Sequence, residues 1–216
     1  MKKHVFIVFI ILLIPSLISF SGNKIKKSVF ISGNLSFYQS NSNNTNNIQS
    51  NLPRIGFGLG VGFPLNNNIF FFGKINYLIK SDFDAYYDNS TFRDDIQVIN
   101  NIVYTNASIS QLIVNGGLQY KIYLADEFTL GLIGGFTYSL VDQNAKDNFG
   151  ETVSKISNEG FYGYFGGASL EKNIENENFS IFIEAIYNYI KSDVVYYRNV
   201  FSGLDLTIGG RYYFSG

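Results

Sequence analysis

The feature that most constrains this chain is an alternation of apolar with small or polar residues, held at a period of two through several separate runs. In Arg54-Ile-Gly-Phe-Gly-Leu-Gly-Val-Gly-Phe63, Ile55, Phe57, Leu59, Val61 and Phe63 share one side and four glycines the other. Phe179, Ile181, Ile183, Ala185, Tyr187 and Tyr189 repeat the pattern against Ser180, Glu184 and Asn188, with Phe182 and Ile186 breaking it. Leu204, Leu206, Ile208, Tyr212 and Phe214 do so against Asp205, Thr207, Gly209 and Arg211. Side chains alternate across a strand, so these runs predict strands with one greasy and one small or polar face. No segment carries a helical stripe with caps.

The same reading predicts eight strands, near 26–39, 54–64, 69–81, 108–123, 128–140, 160–172, 179–191 and 203–214. The connections 65–68, 124–127 and 173–178 are short and turn-like. The connections 41–53, 82–107, 141–159 and 192–202 are longer and polar. Strict alternation of short and long links is expected of strands crossing a membrane up and down, with tight periplasmic turns and longer extracellular loops. In a bilayer every backbone amide and carbonyl must pair within the protein, so such a sheet has to close into a barrel. Both termini then lie on the turn side.

The N-terminus predicts export. Lys2 and Lys3 precede an apolar run over 5–18, and Ser19-Phe20-Ser21 offers small residues at the spacing a signal peptidase reads. The expected division is a signal peptide over 1–21 and a barrel domain over 22–216. Cleavage leaves 14 basic against 17 acidic residues and removes the one histidine, His4. The chain has no cysteine, which excludes a disulfide framework and a thiol nucleophile. No basic stripe suggests nucleic acid.

With the greasy face outward, in lipid, the opposite face lines the lumen. Small and polar residues such as Ser32, Asn34, Asn76, Gln111, Asn115 and Thr137 fall there, and so do Lys74, Lys121, Glu171, Glu184 and Arg211. Charges in a low-dielectric lumen must pair. These five are expected to form a salt-bridge network closing the barrel, or, in a sharper reading, a gate for small solutes. Phe70, Phe72, Phe182 and Ile186 are read as plugs near the turn end.

The signal peptide, the alternating runs and the closing Gly209-Gly210-Arg211-Tyr212-Tyr213-Phe214 together resemble the small eight-stranded outer-membrane β-barrels of Gram-negative bacteria, the OmpA/OmpX-like group. The resemblance implies an all-β, antiparallel up-and-down transmembrane barrel in the outer membrane. It implies outer-membrane lipid and the outer-membrane assembly machinery as partners, with Tyr212 and Phe214 carrying the assembly signal. It implies a monomer, and no peptidoglycan-binding domain is expected after the barrel. The family usually ends on the aromatic, whereas Ser215 and Gly216 follow Phe214 here.

The function expected is a structural or surface-interaction role, any surface ligand being met by the long loops. The alternatives are a narrow pore for small solutes and a soluble, exported, lipocalin-like barrel with an apolar lumen. No enzyme is expected. Acyl-transferring, phospholipid-cleaving and peptide-cleaving barrels rely on a histidine that the mature chain lacks. No cofactor is expected either: Gly58-Leu-Gly60-Val-Gly62 lacks the spacing and helix of a dinucleotide loop. Asp82, Asp84, Asp88, Asp94 and Asp95 offer oxygen ligands for Ca²⁺ but match no EF-hand, and are read as a solvated loop, so no metal site is expected.

Overall fold

A computed structural model describes residues 28–40, 53–88, 102–124, 127–146, 152–174, 178–191 and 201–214. The expected signal peptide, 1–21, and the Asn-rich segment 41–52 lie outside them. Eight strands run in chain order: β1 (Phe30–Ser40), β2 (Pro53–Pro64), β3 (Ile69–Asp88), β4 (Ile102–Tyr123), β5 (Phe128–Lys146), β6 (Thr152–Asn173), β7 (Phe179–Lys191) and β8 (Gly203–Tyr213). Each pairs antiparallel with its neighbour, and β8 pairs with β1 to close the barrel.

The ladder fixes the barrel's size. Stepping from partner to partner once round, Phe30 leads to Gly62, Phe72, Gly117, Gly135, Phe165, Asn188 and Gly203, and back to β1 at Ser40. The circuit returns ten residues further along β1. With eight strands, that stagger tilts them about 40° from the axis at a Cα radius of roughly 8 Å. A barrel so narrow is filled by its own side chains. The inner glycines of β2 follow from this: a Cβ on Gly58 would strike the Asn76 side chain, and one on Gly62 the Phe30 ring.

Inside and outside fall as the period of two requires. Leu59 is 72% exposed and Phe136 77%, while Arg211 and Glu171 are each 1% exposed. A lipocalin-like barrel needs an apolar lumen and a polar exterior. Here Ile55, Phe57, Leu59, Ile75, Ile183 and Ile208 face out and Ser36, Asn76, Gln111, Lys74 and Asp205 face in, so that reading is withdrawn. At about 2.5 Å of height per tilted residue, the 11 residues of β1 and β8 span about 27 Å, enough for an apolar band of ~25 Å. Outer tyrosines gather where β7 ends: the Tyr138 and Tyr162 rings lie 4.9 Å apart, and Tyr164 stacks on Tyr189 at 5.4 Å. Tyrosines so placed suit a membrane interface.

Four strands are longer than expected. β3 to β6 carry 19–22 residues each, and their pairing continues past the barrel as two hairpins, with β4 and β5 laddered together up to Asn106 and Lys146. Most of what reads as loop over 82–107 and 141–159 is therefore sheet. The connection between β5 and β6 shrinks to 147–151. Past the bulges the apolar alternation breaks in the sequence, although Ile109, Gln143 and Ile156 still form one buried row across β4, β5 and β6. Bulges mark the departure: register shifts between Leu78 and Ser81 on β3, and between Val141 and Gln143 on β5. The second places Asn158 at φ 49°, a left-handed conformation that asparagine tolerates.

Candidate functional site

The lumen is the candidate site, and it is layered. At the turn end Glu171 is the hub. Its Oε2 accepts from Arg211 Nη1 at 2.6 Å and from Lys121 Nζ at 3.3 Å, and its Oε1 accepts from Ser180 at 2.5 Å and from the Tyr213 hydroxyl. Lys121 also donates to the Tyr213 hydroxyl at 2.6 Å. Aromatic faces enclose the cations: Lys121 Nζ lies 4.6 Å from the Phe70 ring centroid and 5.0 Å from that of Phe30, and the Arg211 guanidinium 4.2 Å from that of Phe182. Such contacts strengthen where water is excluded. Phe30, Phe70, Phe72, Ile133, Phe165, Ile186 and Tyr213 form one buried cluster around this layer.

One layer up, Lys74 Nζ donates to Glu184 Oε1 at 2.7 Å and to Thr207 at 2.9 Å, with Asp205 3.5 Å away. Asn76 donates to Asp205 at 2.6 Å and to Ser36 at 3.0 Å. Arg211 Nη2 reaches Glu184 at 3.5 Å and links the two layers. Lys74, Lys121, Glu171, Glu184 and Arg211 are thus brought into one continuous chain of ion pairs on β3, β4, β6, β7 and β8.

The loop-side mouth holds a third layer. Tyr38, Leu78 and Ile113 cluster there. Tyr38 donates to the Phe201 carbonyl at 2.6 Å, Phe201 stacks against Phe161 at 5.0 Å, and Ser202 bonds the backbone of Ile190. Arg54 lies over the Tyr38 ring at 5.0 Å and donates from Nη2 to Gln111 at 2.6 Å.

Tyr213 and Arg54 are absent from the five lumen charges that the sequence reading singles out. Tyr213 shares the parity of Arg211 and so faces inward, while its neighbours Tyr212 and Phe214 are exposed on the outer face with rings 5.4 Å apart. Arg54 shares the parity of the inner glycines, whereas Asp205 already stands on the polar face of its run with Thr207. Asp82, Asp84 and Asp88 lie on β3 past its bulge, and Asp94 and Asp95 lie outside the described residues. Among the described residues no three His, Cys, Asp or Glu are grouped to hold a metal ion.

No protein-family model and no curated protein matches the chain. Solved structures do. The outer membrane protein OprG from Pseudomonas aeruginosa superimposes with a TM-score of 0.56 at 14% identity, over 88% of this chain and 98% of that one. Ail, the attachment invasion locus protein of Yersinia pestis, solved in complex with the heparin analogue sucrose octasulfate, gives 0.50 at 15% identity, over 87% of this chain and 97% of that one. At that identity the likeness speaks for the backbone alone. With the closed ladder and the inside-out distribution of apolar residues, it makes the chain a β-barrel of the small eight-stranded outer-membrane type.

Proposed function

We propose that the protein is an integral outer-membrane barrel with a structural or surface-interaction role, and not a catalyst or a pore. The observation that carries this reading is the occupied lumen. Ion pairs and aromatic rings fill the turn end, and Phe201, Tyr38 and Leu78, each 0% exposed, fill the mouth. A solute path would have to break several buried charge pairs at once, which is costly because each broken pair strands a desolvated ion. The hairpins β3–β4 and β5–β6 rise beyond the lipid band and supply the surface for a partner. Tyr212 and Phe214, apolar and outward on the closing strand, suit a signal for the assembly machinery.

The sulfated ligand in the Ail structure does not transfer on charge grounds. Segment 79–107 of this chain carries Lys80 and Arg93 against Asp82, Asp84, Asp88, Asp94 and Asp95, a balance that repels polyanions.

Two measurements test the reading. Purified protein should need detergent for extraction and should migrate faster on a gel unheated than boiled. In planar bilayers and in liposome swelling it should conduct neither ions nor sugars. Stable single-channel steps from the unmodified barrel would overturn the non-pore role and leave the fold standing.

A further inference from the structure

The lumen's charges do not balance. Among the described residues, four buried cations, Arg54, Lys74, Lys121 and Arg211, share it with three buried carboxylates, Glu171, Glu184 and Asp205. The carboxylates are all engaged by Lys74, Lys121 and Arg211. Arg54 is 3% exposed and pairs with none of them. Its Nη2 is held by the neutral Gln111 side chain, and its Nη1 is buried with no acceptor.

Other lumen amides also lack a partner atom, Asn115 Oδ1 and Gln119 Oε1 among them. A buried water satisfies a neutral amide. It does not offset a full charge, whose removal from water costs several kcal/mol unless an opposite charge stands near. Arginine's planar fork presents its donors to oxyanions in particular.

We propose that the loop-side mouth of the barrel is an oxyanion site, with Arg54 as its charged anchor and Nη1 as the free donor. The ligand class is a compact, free oxyanion: a small carboxylate, sulfate or phosphate. It enters from the loop side, because the turn end is closed by the Glu171 layer. Phe201 is the part of the mouth that must yield: its carbonyl is tied to Tyr38 at 2.6 Å and to Gln111 at 3.4 Å, the two residues that also hold Arg54. An anion arriving at Nη1 would thus be sensed by the same side chains that keep the mouth shut. The inference needs the barrel fold only and does not depend on the surface role.

The test uses the full chain refolded in zwitterionic detergent, at constant ionic strength, with inorganic phosphate or sulfate replacing gluconate. The thermal midpoint of the unmodified protein should rise and saturate with either oxyanion. Arg54→Gln should lack the saturable part, keeping only the gradual rise that such salts give any folded protein. Tyr38→Phe, which keeps the cation, should still respond. As a readout that needs no variant, the Arg54 side-chain N–H resonances should shift with phosphate while those of Arg211 stay still. An equal saturable response in Arg54→Gln, or unmoved Arg54 resonances, would overturn the site. A wild type without any saturable response would overturn it as well.

Discussion

Glu171 on β6 and Arg211 on β8 meet in the lumen at 2.6 Å across the whole width of β7, with both side chains at most 2% exposed. Each anchors a different strand, so their bond ties three strands together at the turn end, where β8 must find β1 to close the barrel. Removing one partner leaves the other charged, dry and alone. Glu171→Gln should therefore destabilise the barrel by about 3–5 kcal/mol. The exposed pair Lys172–Glu127, at 3.5 Å, is the internal control, and Lys172→Ala should cost no more than about 1 kcal/mol. Urea titration of folding in lipid vesicles measures both. Similar losses at the two sites would show that the lumen is wetter than its packing implies.

The Lys74–Glu184 pair separates a structural network from a gate. Its 2.7 Å contact lies midway up the lumen, and Glu184 also touches Arg211. Glu184→Gln should lower the thermal midpoint and leave planar bilayers silent. Conductance that appears in the variant with stability unchanged would favour the gate.

The parity of each run made both faces of all eight strands legible in the sequence, because lipid selects an apolar side as strictly as a protein core does. The lumen charges were legible by the same parity, and for one reason: an ion on the inner face has no escape to water. What parity does not give is who pairs with whom. Glu171 meets Arg211 and Lys121 because of a ten-residue stagger set by the ladder, and no local pattern encodes that. The extended hairpins were not legible because a polar residue, Gln143, takes the buried position opposite Ile109, which interrupts the apolar alternation that marks a strand.

The glycines make a paired prediction. A methyl on Gly58 would run into the Asn76 side chain and the Ile75 carbonyl, whereas one on Gly116, on the outer face, meets nothing within 4 Å. Gly58→Ala should cost on the order of 1–3 kcal/mol through overpacking. Gly116→Ala should be neutral or stabilise by up to about 1 kcal/mol through the unfolded chain. Folding yield into vesicles and urea midpoints read both, and equal tolerance would mean that the lumen is looser than drawn.

Leu59 tests the lipid contact itself. It lies midway along β2, outward and exposed, whereas Leu65 is also exposed but in the turn that follows. An arginine at Leu59 should cost about 2–4 kcal/mol and at Leu65 about 0–1, because the penalty follows depth in the bilayer. The contrast should appear in phospholipid vesicles and shrink in small micelles, where a long side chain reaches water easily. Equal costs at the two sites would mean that the outer face of β2 does not sit in hydrocarbon.

The long hairpins predict where the molecule meets its surroundings. Past the bulge at Leu78, β3 has no described ladder partner on its β2 side and pairs only with β4, so the top of this hairpin contributes nothing to barrel closure. Deleting 82–106 should leave a barrel that folds, resists extraction without detergent and still migrates heat-modifiably. Protease added to intact cells should cut the unmodified chain within that segment and leave the membrane-embedded strands uncut. Cleavage there only after the cells are lysed would place the hairpin on the periplasmic side. The turns at 65–68 and 124–127 would then face outward, and any role in surface contact would pass from the hairpins to them.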